Sequence, residues 1–187
     1  VIVLRHPEIG ASVRAAAVSD IPVINAGDGA GQHPTQAILD LFTIYKEIGR
    51  IDNLSIIFAG DLKNGRTVRS LSYLLGKCRK IRITFVSPPS LRIGKDIQEY
   101  LTRHGVRWKE TGSWNSFLKD ADVVYQTRIQ KERFKIEKEY QQLKGIYILT
   151  LREVEQMKSS AIVMHPLPRV DEIAIEVDAS PRAAYFR

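Results

Sequence analysis

Seven short apolar runs, spaced along the chain and separated by helical patterns, restrict what this sequence can fold into. They cover residues 1–4, 22–25, 54–60, 81–86, 121–127, 145–149 and 161–164. Each is close to continuously apolar rather than alternating, as expected of parallel strands covered on both faces. Between them, 34–48 places Ile38, Leu41, Tyr45 and Ile48 at helical spacing and ends at Gly49. Residues 67–77 repeat Val68, Leu71, Leu74 and Leu75, and 93–104 repeat Ile97, Tyr100 and Leu101 before Gly105. Shorter helices are expected at 113–118 and 151–157. Strands alternating with helices predict an α/β fold, a doubly wound parallel sheet with flanking helices.

The length of 187 residues suits one complete domain and part of a second. The pattern divides into 1–35 as the closing part of one α/β unit, 36–49 as a bridging helix, and 50–187 as a whole unit. The opening run already reads as a buried strand, so the chain is expected to be incomplete at both ends. No run approaches transmembrane length and no signal-peptide pattern is present, which argues against a membrane. A single cysteine, Cys78, on a helical pattern reads as a small core residue and suits a reducing cytoplasm. The formal charge is +7, from 28 Lys+Arg against 21 Asp+Glu. The basic runs are short and lack interleaved aromatics, so nucleic acid is not the expected partner. An anionic small molecule is.

Ligands of such sheets bind beyond the carboxyl ends of the strands, so the strand exits are the places to read. Arg5-His6-Pro7 follows the first run; the arginine can grip a phosphate or carboxylate, or be an ordinary surface residue. Gly27-Asp28-Gly29-Ala30-Gly31-Gln32-His33-Pro34-Thr35-Gln36 follows the second. Here His33 and Gln36 share one face of a first helical turn. The helix N-terminus favours a neutral imidazole, which could donate to a developing oxyanion or simply cap the helix. Asp61-Leu62-Lys63-Asn64-Gly65-Arg66-Thr67 lacks both dinucleotide and P-loop spacing, yet sets Arg66 against the helix dipole. Asp61 could pair with it. After the fifth run, Arg128 and Gln130 point to one side of an extended segment, and Lys131, Glu132 and Arg133 read as charged surface. After the last, the prolines of His165-Pro166-Leu167-Pro168 are expected to hold the chain extended, freeing the Pro166 and Leu167 carbonyls. His165 reads as a loop-holding residue.

In this order the motifs Arg-His-Pro, Gly-Asp-Gly…His-Pro-Thr-Gln, Gly-Asp-Leu-Lys-Asn-Gly-Arg-Thr-Val, Thr-Arg-Ile-Gln-Lys-Glu-Arg and His-Pro-Leu-Pro-Arg-Val-Asp-Glu-Ile resemble the catalytic chain of the aspartate carbamoyltransferase family, from residue 5 to 185. The resemblance implies carbamoyl transfer from carbamoyl phosphate to L-aspartate, giving N-carbamoyl-L-aspartate for pyrimidine synthesis. It implies Arg5 and His33 on carbamoyl phosphate, with His33 polarising the carbonyl. Gln36 and the Pro166 and Leu167 carbonyls would hold the carbamoyl NH₂, and Arg66, Arg128 and Gln130 the aspartate carboxylates. It implies no metal or organic cofactor, a homotrimer with shared active sites, and a possible regulatory chain or fusion partner. Ornithine relatives have His-Cys-Leu-Pro where this chain has His165-Pro166-Leu167-Pro168, which favours aspartate. The family's upstream Ser-Thr-Arg-Thr phosphate motif, the Ser/Lys loop lent by a neighbouring subunit and the C-terminal helix have no counterpart here. The chain alone is therefore expected not to turn over. An ornithine-type enzyme and a non-catalytic dicarboxylate-binding or assembly domain are the alternative readings.

Overall fold

The computed structural model describes residues 1–131, 134 and 136–186. The chain opens with β1 (Ile2–His6), the short helix α1 (Ala11–Ala17) and β2 (Val23–Asp28); the two strands pair in parallel. Helix α2 (Pro34–Ile48) starts at a proline, whose missing N–H costs nothing in a first turn, and stops at Gly49 with φ 79. Five parallel strands follow: β3 (Ser55–Ala59), β4 (Arg82–Val86), β5 (Arg107–Thr111), β6 (Val123–Gln126) and β7 (Ile162–Met164). Their spatial order is β5-β4-β3-β6-β7. After β3 the chain builds outward to β5, then returns to the other side of β3 for β6. The exits of β3 and β6 thus lie side by side where the winding reverses, the place where such sheets open a crevice.

Both sheet faces are covered, which explains the unbroken apolar strands. One core packs Ile56, Phe58, Ile83, Phe85 and Tyr125 against α2, α3 (Arg66–Leu75) and α4 (Lys95–Arg103). The opposite core joins Ile57, Ala59, Val124 and Val163 to Trp114, Leu149, Val154 and Val177. Helices α5 (Glu137–Leu143) and α6 (Leu151–Glu155) complete the elements, the latter closed by a capping box between Thr150 and Glu153.

Two expectations need correction. Residues 145–149 form no strand; Leu149 makes only an isolated bridge to Ile173. The segment turns and bends from Gly145, with Tyr147 and Leu149 buried and Ile146 and Ile148 exposed. It packs its alternate side chains on the sheet's covering layer without joining the sheet. Residues 113–118 form turns, with a short 3₁₀ turn at Leu118–Asp120, because buried Trp114 anchors the segment directly. Strand β5 was not expected: Arg-Trp-Lys-Glu-Thr carries an edge strand's charges and lacks an apolar run. Helices α1 and α5 were likewise not anticipated. Cys78 is partly buried against the first core, and its thiol is pushed up chiefly by that burial.

Candidate active site

Five chain segments converge on one open cleft of about 620 Å³. Arg5, near the end of β1, and His33 and Gln36, at the start of α2, line it. So do Arg66 at the start of α3, Arg128 and Gln130 beyond β6, and Pro166 and Leu167 beyond β7. Every residue singled out from the sequence as a site candidate therefore faces the same space. Asn64, Thr67 and Thr127 also line it and were not foreseen. Glu132 and Arg133 of the charged run lie outside the described residues.

Glycines allow these exits to meet. Gly29 has φ 50 and donates its N–H to the His6 carbonyl at 2.9 Å; an added Cβ would sit 2.4 Å from the Pro7 carbonyl. Only glycine lets the β1 and β2 exits touch there. Gly60 has φ 113, and its Cβ would fall 2.1 Å from the Thr127 carbonyl oxygen. Thr127 in turn donates from its N–H (2.8 Å) and its hydroxyl (3.0 Å) to the Ala59 carbonyl. This junction delivers Arg128 to the cleft. Asp28 holds the glycine-rich loop by accepting from the backbone N–H groups of Gly10 (2.8 Å) and Gln32 (2.6 Å). Burial opposes its charge, but these bonds hold its carboxyl below the usual range. Ser70 on α3 accepts from the His33 N–H at 2.8 Å, tying the α2 start to the next helix.

Arg66 lies across Gly27, with guanidinium atoms 3.0 Å from where a Cβ would stand, and donates to the Gly29 carbonyl at 3.0 Å. Asp61, entirely buried, accepts from the Asn64 backbone and side-chain N–H groups and shapes the turn before Arg66. The guanidinium at a helix start is thus held by the neighbouring loop, near where an anion would sit.

His33 makes the helix cap that its position suggested. Its Nδ1 accepts from the Gln36 backbone N–H at 3.3 Å, so it caps α2. Burial, then the charges of Arg66 and Arg5, push its pKa below the ordinary histidine value. A neutral ring with Nδ1 accepting carries its proton on Nε2. Capping occupies Nδ1 and leaves the Nε2–H able to donate.

The β7 exit departs from expectation. Leu167 is not extended but left-handed, with φ 54, and the Leu167–Pro168 peptide is cis. His165 Nδ1 accepts from the Leu167 N–H at 2.9 Å across this tight turn. Its Nε2 stands 2.7 Å from Glu172 Oε1. Burial works against the Glu172 charge, but the His165 contact and backbone N–H groups hold its carboxyl below its usual value. His165 thus holds the loop, as its position suggested.

A parallel sheet whose exits gather arginines, a neutral histidine and two amide side chains around a crevice has the chemistry to neutralise a small, highly anionic ligand. Comparison with known sequences gives the family. The model for "Aspartate/ornithine carbamoyltransferase, Asp/Orn binding domain" matches residues 52–187. The model for the "carbamoyl-P binding domain" of the same enzymes matches 1–46. The chain belongs to the aspartate carbamoyltransferase family. It is 54% identical to the chloroplastic aspartate carbamoyltransferase of Oryza sativa, over all of this chain and 52% of that protein. It is 52% identical to the aspartate carbamoyltransferase catalytic subunit of Methanocaldococcus jannaschii, over all of this chain and 60% of that one. The chain thus spans about half the length of the plant relatives it matches. A solved M. jannaschii catalytic subunit superposes with a TM-score of 0.89, covering 99% of this chain and 60% of that one. The Trypanosoma cruzi enzyme in complex with N-(phosphonacetyl)-L-aspartic acid superposes with a TM-score of 0.92 at 42% identity, over 99% and 60%.

Proposed function

We propose that the protein of which this chain is a part transfers the carbamoyl group of carbamoyl phosphate to the amine of L-aspartate, giving N-carbamoyl-L-aspartate and phosphate. The observation that carries this is the convergence of Arg5, Arg66 and Arg128 with a neutral His33 on one cleft. Two polyanions do not approach each other unaided in water; fixed guanidinium groups neutralise them and set the attack geometry.

In this reading Arg5 and His33 meet carbamoyl phosphate, and His33 Nε2–H donates to the carbonyl oxygen as it gains charge. Gln36 and the carbonyls of Pro166 and Leu167 hold the carbamoyl NH₂. Arg66, Arg128 and Gln130 hold the two carboxylates of aspartate. The unprotonated amine attacks the carbonyl carbon, a tetrahedral intermediate forms, its bond to the phosphate oxygen breaks, and the new amide nitrogen gives up its proton to the departing phosphate. None of these steps asks for a metal ion or an organic cofactor. The working assembly is a homotrimer in which neighbours complete each site, which sedimentation of the full-length protein would test. The domain division at 35 and 49 belongs to the same reading.

Acceptor competition tests the assignment. Labelled carbamoyl phosphate supplied with equal L-aspartate and L-ornithine should yield carbamoyl-aspartate. Predominant citrulline would move the protein to the ornithine branch, and no carbamoylated product would leave a dicarboxylate-binding domain.

A further inference from the structure

Asp40 stands one helical turn beyond Gln36 on α2, so their side chains share a face. It is 2% exposed. Its Oδ2 accepts from the Tyr125 hydroxyl at 2.7 Å and its Oδ1 from Gln36 Nε2 at 2.9 Å. Tyr125 is itself fixed: it is fully buried, with its ring edge-on to Phe58 at 5.4 Å between centroids. A carboxylate only accepts hydrogen bonds. With Tyr125 donating to one oxygen, the other selects the NH₂ end of the Gln36 amide. The carbonyl end of Gln36 is then left for the cleft that its side chain lines. A glutamine with no such neighbour would present either end.

We propose that Asp40 is a positioning residue that turns the Gln36 carbonyl into the cleft and thereby makes this corner select a ligand bearing an N–H group. The inference rests on the carbamoyl-transfer reading, in which Gln36 meets the carbamoyl NH₂. It adds the source of discrimination: a methyl group or an oxygen of similar size at that corner leaves the Gln36 carbonyl without a donor. A site built to hydrogen-bond one group rejects the analogue that lacks it. Asp40 itself touches no substrate; it acts through Gln36.

Two stable probes differ only at that corner. Phosphonoacetamide carries NH₂ where 2-oxopropylphosphonate carries CH₃. Their dissociation constants are measured by calorimetry on the full-length protein and its variants. The unsubstituted protein should prefer the amide by about tenfold, the worth of one good hydrogen bond. In Asp40→Asn the new NH₂ can face Gln36 and reverse its amide. The preference should then fall to about unity while the ketone's affinity changes less than about twofold. Tyr125→Phe keeps the Asp40–Gln36 bond and should keep the preference. If Asp40→Asn does not fold, Asp40→Ala takes its place with the same ratio as readout. An unchanged preference in the Asp40 variant overturns the proposal, as does an equal loss of both probes. So does a loss of preference in Tyr125→Phe as large as that in Asp40→Asn. Binding of both probes without preference by the unsubstituted protein overturns this inference alone. Binding of neither overturns the carbamoyl-transfer reading and this inference with it.

Discussion

Asp40 also makes a prediction about stability. Burial raises its pKa from 3.8 to about 6, and the bonds from Gln36 and Tyr125 offset only part of that cost. The folded state therefore holds a proton on Asp40, across roughly pH 4 to 6, that the unfolded chain has released. The sign follows: stability from this group is greatest below pH 4, falls as pH rises through 6, and is level above. A gap of about two units corresponds to about 3 kcal/mol, of which about 2 kcal/mol falls between about pH 4.5 and about pH 7.5. Asp40→Asn keeps the shape and cannot ionise, so it lacks this slope. Urea unfolding of both proteins at the two pH values measures it. The variant should gain on the unsubstituted protein by about 2 kcal/mol on going from about pH 4.5 to about pH 7.5. A stability difference that stays constant across that range would refute the argument that Asp40 is an ionisable group held dry. The expected gain at neutral pH beside lost ligand selectivity is the usual trade at a functional site.

Three other outcomes are expected. Gly60→Ala forces a Cβ to 2.1 Å from the Thr127 carbonyl at φ 113. It should cost about 1–3 kcal/mol in urea unfolding, and a neutral result would mean the β3 and β6 exits are not in contact. His33→Ala in the full-length protein should lower kcat by about 10²–10³ through loss of one oxyanion donor; a near-normal kcat would leave His33 a helix cap alone. Arg128→Ala should raise the KM for aspartate by about 10²-fold, as loss of one partner of a desolvated charge pair does, and an unchanged KM would remove Arg128 from the aspartate site.

Much of this was readable in the sequence because parallel strands buried on both faces must be apolar throughout. Residues 54–60, 81–86 and 121–127 declared themselves that way. The site was readable because the winding order forces strand exits together, so Arg66 and Arg128, 62 positions apart in the chain, had to be read as neighbours. What stayed hidden depends on tertiary context. Edge strand β5 carries charges because one of its sides faces water. The 145–149 run is apolar because it covers a sheet, a role its composition shares with strands. The turn at Leu167 is bridged by a histidine nitrogen two residues back, and proline rules alone gave the opposite backbone. Asp40 is hidden in the sequence because an acidic residue inside a helical pattern reads as solvated, and its partner Tyr125 comes from β6, 85 positions away.

The central claim is that cationic side chains from separate exits hold one dicarboxylate in the cleft. A crystal structure of the full-length protein with succinate, which has both carboxylates of aspartate and no amine to react, tests it most directly. The account predicts density in the cleft with one carboxylate on Arg128 and the ligand flanked by Arg66 and Gln130. Succinate bound elsewhere on the molecule, with those three side chains untouched, would contradict it.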